Sequence, residues 1–191
     1  MKKSVLLVLT ILISVSYFVC AQSHMNFMGM ELNGSLTDIV SQMELKGFKV
    51  FDTDEHSVSM LGRHHGLTVV AEVAAAPISD TVYKVIIKYP TNAALWSSLY
   101  MDYVAIRAEI EKIYGRPTEA MERFEPPYSE NNKPFEALRE GKATYVAKYI
   151  TDGGSIIVQL RYAEPCHEVQ TIYWDHINKE LYIKESEMLN N

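Results

Sequence analysis

The side chains of this sequence that could bind a metal ion are spaced in a way that argues against such a site. His64 and His65 are neighbours in the chain. On a strand, neighbouring side chains point to opposite faces, so these two imidazoles cannot share one ion unless the turn bends them together. Cys166 and His167 meet the same objection. We therefore predict no metal site, and we interpret the histidine pair as the polar tip of a hairpin.

The remaining acidic and glycine patterns do not indicate a known chemistry either. Asp52 and Asp54 resemble the start of a calcium loop, but the central glycine and the closing glutamate are missing at the required spacing. The chain also lacks HExxH, a glycine-rich loop with lysine, GxSxG and CxxC. The sequence predicts no catalytic residue and no cofactor. A polar site assembled from distant positions stays open as an alternative.

Aromatic residues give the better candidates for binding. Trp96 and Trp174 are predicted to pack in the core. Residues 125–142 form a polar, proline-rich stretch between two predicted strands, with one helical turn expected near its end. Connections longer than about 12–15 residues usually either bind something or are disordered. Tyr128 and Phe135 are the apolar side chains that this stretch could present to a partner.

Charge restricts the class of partner. The chain has 18 basic and 24 acidic residues, a net charge of −6. Nucleic-acid binding needs basic residues that neutralise phosphates, so a nucleic-acid partner is not expected. Another protein or a component of the cell envelope is the partner that we expect.

Residues 1–21 have the pattern of a signal peptide. Lys2 and Lys3 are followed by an apolar run, and small or tolerated residues precede Gln22. Because this stretch holds two basic and no acidic residues, removing it leaves 16 basic and 24 acidic residues, a net charge of −8. The run is short of the ~20 apolar residues that span a membrane, and no transmembrane helix is expected in the mature chain. We predict a periplasmic or secreted protein, with a lipoprotein anchored at Cys20 as the alternative.

Cleavage after Ala21 would remove Cys20 and leave Cys166 as the single remaining cysteine. An internal disulfide bond would then be excluded. A free thiol, a link to another molecule and a small apolar residue beside a turn are then the three interpretations.

The elements that must position these residues follow a repeated order. Ser35 and Asp38 form a capping box, and apolar residues at helical spacing lead to Gly47 as the helix end. Four stretches with strand-like alternation follow. A second amphipathic helix ends at Gly115, and four further strands follow it, two of them joined by the turn at 152–154.

This order predicts one α+β domain over residues 22–191, built from two tandem units of one helix and four strands. The units span about 26–90 and 91–176, with an insertion at about 125–142 in the second. Because an antiparallel sheet with one apolar face must cover that face, we expect one curved sheet with the helices on one side. Gln159 and Arg161 would then lie on the uncovered side, and both are candidate binding residues.

Two resemblances accompany this prediction. The stretch from Phe27 to Ser35, the residues Lys46-Gly47-Phe48 and the later Tyr114-Gly115-Arg116-Pro117 resemble small exported proteins of unknown function from Gram-negative gut anaerobes. The repeated element order is similar to the beta-lactamase-inhibitor-protein-like architecture and to small outer-membrane assembly lipoproteins of the BamE type. Those families bind proteins, so the resemblance implies a binding role without catalysis.

The sequence therefore favours an exported binding module that uses the uncovered sheet face and residues 125–142. A small envelope hydrolase and a structural lipoprotein are the alternatives.

Overall fold

The computed structural model describes residues 23–91 and 93–190. The predicted signal peptide and Cys20 lie outside the described residues. Four helices are present in the described part: α1 (Leu36–Leu45), α2 (Trp96–Tyr114), α3 (Pro134–Arg139) and α4 (His176–Leu189). None of these helices is long and apolar enough to cross a membrane.

Ten strands accompany the helices within the described residues. The first two form a small antiparallel pair, and the other eight form one antiparallel sheet in the order β3-β4-β5-β6-β10-β9-β8-β7. The strands are β1 (Asn26–Phe27), β2 (Met30–Glu31), β3 (Lys49–Asp54), β4 (Ser57–His64), β5 (Leu67–Ala75), β6 (Val82–Thr91), β7 (Glu119–Phe124), β8 (Ala143–Thr151), β9 (Gly154–Ala163) and β10 (Cys166–Asp175). The predicted α+β class with an antiparallel sheet is confirmed.

The predicted start of α1 and the predicted C-terminal ends of α1 and α2 follow from local chemistry. The Ser35 hydroxyl accepts a hydrogen bond from the Asp38 backbone N–H and donates one to the Asp38 carboxylate at 2.8 Å, which satisfies the start of α1. Gly47 and Gly115, just after α1 and α2, have positive φ values of 91° and 78°. A residue without Cβ adopts this left-handed backbone at little cost, so both helices end there.

One core runs along the sheet because strand side chains alternate between faces. In β9, Ile156, Val158 and Leu160 are buried in the core cluster, while Ile157, Gln159 and Arg161 point away from it. Buried residues of α1 and α2 belong to the same cluster. We call the side of the sheet that carries the core cluster the core face, and the opposite side the second face.

The sheet divides at one end. Pairing between β5 and β6 stops at Val70–Lys88, and pairing between β8 and β9 stops at Val146–Gln159. Pairing of β10 with β6 and β9 continues beyond that level, to Thr91–His167 and to Ala163–Cys166. The first residues of β5 and β8 and the last residues of β6 and β9 therefore leave two clefts, one on each side of the central strands β6, β10 and β9.

Asp175 joins the start of the described chain to α4. Its buried carboxylate accepts hydrogen bonds from the backbone N–H of Met25 (2.7 Å) and of Asn178 (2.8 Å), and it lies 3.0 Å from His24 Nδ1. The Asn178 amide donates to the carbonyl oxygens of Leu32 and Val82. These contacts hold α4 beside β6 and the N-terminal segment.

Candidate functional site

The centre of the second face is apolar. Ile86, Ile172 and Ile157 lie side by side on β6, β10 and β9, and all three are half-buried. Glu72 on β5 and Lys148 on β8 continue the same row at its two ends. The row therefore runs as three isoleucines between an acid and a base, and we call it the isoleucine row.

Polar side chains border the isoleucine row. Lys88 Nζ lies 2.7 Å from the Glu72 carboxylate. Gln159 Nε2 donates to Gln170 Oε1 at 2.9 Å, and Gln170 Nε2 donates to the Glu168 carboxylate at 2.6 Å. An apolar centre with a hydrogen-bonded polar border is the usual composition of a protein–protein interface.

Helix α4 covers one end of this face. The Tyr182 ring stacks on Tyr83 at 4.1 Å, nearly parallel, and Lys179 Nζ lies 4.5 Å from the centre of the Trp174 ring. The Glu185 carboxylate accepts hydrogen bonds from the backbone N–H groups of Ile78 and Ser79. The C-terminal helix His176–Leu189 therefore limits the available face. Trp174 was predicted to pack in the core, but it is half-buried beneath this helix.

The second cleft, between the diverging ends of β8 and β9, holds two of the predicted binding residues. It is a pocket of about 340 Å³, and helix α3 contacts both strands beside it. Gln159 and Arg161 on β9 line it, and so does Arg139 on α3. Its lining consists of Leu138, Arg139, Gly141, Ala143, Thr144, Tyr145, Val146, Gln159, Leu160, Arg161 and Tyr162.

The other two predicted residues lie away from this pocket. Phe135 packs against Trp96 and His167, with its ring centre 4.6 Å from that of His167. The Tyr128 hydroxyl donates to the Glu140 carboxylate at 2.7 Å, and its ring packs against the core cluster. The structure therefore brings Gln159 and Arg161 together and uses Tyr128 and Phe135 to attach residues 125–142 to the core. That segment supplies Arg139 to the pocket instead, a residue that the sequence reasoning missed.

The first cleft, between the ends of β5 and β6, has a different lining. It is a pocket of about 310 Å³ formed by Leu67, Thr68, Tyr89, Pro90, Thr91, Asp102, Ala105 and Ile106. The Thr91 hydroxyl donates to the Asp102 carboxylate at 2.8 Å. This cleft has a carboxylate and no basic side chain.

A buried histidine, His64, lies behind the first cleft. The prediction that His64 belongs to the polar tip of a hairpin was therefore wrong. His64 is 6 % exposed, and its Nδ1 shares a hydrogen bond of 2.5 Å with the Tyr89 hydroxyl. Burial, with a smaller effect of His65, lowers the pKa of His64 to about 3. The imidazole is therefore neutral at physiological pH. The alternation of Val58, Met60 and His64 on the buried side of β4 is the signal that could have predicted this burial.

Metal-binding chemistry has little support in the residues that the structure describes. His65 turns back with a φ of 48°, which brings its ring centre to 4.0 Å from that of His64. No group of three or more histidine, cysteine, aspartate or glutamate side chains in residues 23–91 and 93–190 is arranged to hold an ion. Cys166 is an exposed free thiol at the start of β10.

Comparison with protein-family models, with curated proteins and with solved structures found no match for this chain. The geometry of the second face and of the two clefts is therefore the basis for a functional proposal.

Proposed function

We propose that this protein is an exported binding module that recognises another protein through its second face and catalyses no reaction. The isoleucine row carries the proposal. Three adjacent branched apolar side chains in the middle of a sheet face would gain free energy from being covered, about 25 cal/mol for each Å² of apolar surface removed from water. Their polar border would supply the specific contacts at the rim.

The arrangement of elements supports the choice of this face. We infer that the chain consists of two like units, each with one helix and four strands, and that α1 and α2 cover the core face of both. The sheet order, in which the last strand of each half meets the other at the centre, agrees with that interpretation. A partner would then bind the side of the sheet that α1 and α2 leave uncovered.

Substitution of one residue of the isoleucine row tests the proposal. Ile157→Lys places a charge in the centre of the face, and Leu45→Lys places the same charge on α1, where Leu45 is 89 % exposed. We expect the wild type and L45K to capture the same protein from envelope extract, and I157K to lose that protein while retaining its cooperative thermal unfolding. Equal capture by I157K would contradict the proposal.

Export has a separate test. Mass spectrometry of the mature protein purified from the envelope should find Gln22 as its first residue. A lipid-modified Cys20 would instead favour the anchored lipoprotein.

A further inference from the structure

We propose that the second cleft binds a small oxyanion, the carboxylate or phosphate group of a small molecule. This site does not rest on the protein-binding role proposed above, because a small molecule alone can occupy the pocket. The argument depends on the charge of the lining, on the backbone at the cleft and on the volume of the pocket.

Two arginines line the pocket, and neither has an ion-pair partner among the described residues. Arg139 and Arg161 are both exposed, and neither makes an ion pair within residues 23–91 and 93–190. By contrast, Lys142, which follows the lining residue Gly141, pairs with Glu125 at 2.9 Å, and Arg107 on α2 pairs with Glu111 and Glu122. Two unpaired guanidinium groups in a chain of net charge −6 create a local positive site, and guanidinium matches the planar and tetrahedral geometry of carboxylate and phosphate.

No acidic side chain of the lining competes for these arginines. Glu168 is the cross-strand neighbour of Arg161 on β10. Its carboxylate accepts a hydrogen bond from Gln170 Nε2 instead of pairing with the guanidinium. The lining also has no imidazole and no thiol, so the pocket has the groups for binding an anion and lacks an evident nucleophile–base pair.

The backbone of the cleft adds donors. Beyond Val146–Gln159, the ends of β8 and β9 no longer pair with each other, although β8 still pairs with β7 and β9 with β10. Peptide N–H and C=O groups that would form the next steps of the ladder therefore need other partners. Peptide N–H groups and the Thr144 hydroxyl are the neutral donors that commonly complete an oxyanion site beside arginine.

The volume restricts the ligand to a small one. About 340 Å³ lies near the lower limit of the range of roughly 300–1,000 Å³ that is usual for small-molecule sites. Inorganic phosphate and a short dicarboxylate are therefore suitable probes for the two kinds of oxyanion.

NMR titration of the folded chain from residue 22 tests the proposal. Inorganic phosphate and succinate are added in separate experiments, and choline chloride at matched ionic strength is the cationic control. The variants are Arg139→Gln with Arg161→Gln, and Arg116→Gln as a matched control at an exposed arginine outside the pocket. Thermal unfolding of each variant verifies that the fold is intact.

We expect saturable shifts of the amides of Thr144–Val146 and Gln159–Tyr162 with phosphate, succinate or both. The probe that gives them identifies the kind of oxyanion. Affinity in the double variant should fall by about tenfold or more, because each charge-assisted hydrogen bond contributes at least a factor of that order, and R116Q should bind as the wild type does. The proposal is overturned if neither probe gives saturable shifts in the wild type, or if the double variant binds equally well.

Discussion

The two clefts open at the same end of one sheet and have nearly equal volumes, about 310 and 340 Å³, but they differ in their side chains. The first cleft is backed by a buried His64–Tyr89 pair and lined by Asp102. The second is lined by the exposed residues Arg139 and Arg161. Similar backbone divergence can therefore support two roles. We expect the residues behind the first cleft to determine stability, and the arginines of the second to determine binding.

The clefts also differ in their place within the halves of the chain. The first separates the third and fourth strands of the first half, whereas the second separates the second and third strands of the second half. In the second half, residues 125–142 bring α3 against β8 and β9. Residues 125–142 thus contribute to the chemical difference, because they supply Arg139.

The largest expected effect is the pH dependence of stability at the first cleft. The pKa of His64 is lowered from 6.5 to about 3 in the folded protein. Between these pH values the unfolded chain binds a proton that the folded protein does not, so the free energy of unfolding should decrease as the pH falls from 6.5 towards 3. The decrease amounts to about 5 kcal/mol at most, and urea denaturation at a series of pH values measures it.

His64→Gln should reduce this pH dependence, since glutamine can bond to Tyr89 and does not titrate. Burial also lowers the pKa of His65 and of His167, so a weaker slope of the same sign should remain. An unchanged slope in H64Q would assign the pH dependence to other groups.

Truncation of the same histidine should have the next largest effect on the free energy of unfolding. His64→Ala leaves a cavity among Phe27, Tyr89 and Tyr173 and removes the partner of a buried hydroxyl. We expect the free energy of unfolding to fall by about 2–4 kcal/mol at neutral pH, as measured by urea denaturation. A loss below about 0.5 kcal/mol, the range of ordinary surface substitutions, would show that the pair is not structural.

A smaller effect is expected for Tyr89→Phe, which removes one hydroxyl and leaves His64 Nδ1 without its hydrogen bond. The expected loss is about 1–2 kcal/mol, again by urea denaturation. Tyr128→Phe is the matched control, because its exposed hydroxyl bonds to Glu140 at the surface. Equal losses in the two variants would argue against a special role of the buried pair.

The smallest effect on stability is expected at the second cleft. Arg139→Gln and Arg161→Gln should each change the free energy of unfolding by no more than about 0.5 kcal/mol, since both residues are exposed and make no ion pair in the described part of the chain. If either variant lost 2 kcal/mol or more of its free energy of unfolding in urea, that arginine would be a residue that stabilises the fold. The contrast between the two clefts would then no longer hold.

The sequence predicted the elements better than the sites. Ser35 with Asp38, and Gly47 and Gly115, act within one helix, so local spacing was sufficient to predict them. Alternation along β9 also placed Ile157, Gln159 and Arg161 away from the core cluster. These features depend on neighbours only a few positions away in the chain.

Features that depend on distant neighbours were not predictable in this way. Arg139 joins Arg161 only because β8 and β9 diverge and α3 packs beside the gap. Phe135, in a polar segment, was a candidate for contact with a partner, and its packing against the rings of Trp96 and His167 could not be read from its neighbours in the chain. The interpretation of His64 relied on its neighbour His65. Its burial depends instead on its lying on the same side of β4 as the buried Met60.

The carboxylate of Asp175 has a consequence for the order in which the molecule is assembled. It binds the Met25 amide across 150 positions of sequence, so the earliest described residues cannot take their final place until almost the whole polypeptide has left the ribosome. We therefore expect a nascent chain that stops before Asp175 to remain sensitive to protease near Met25, and release of the complete chain to bring protection there.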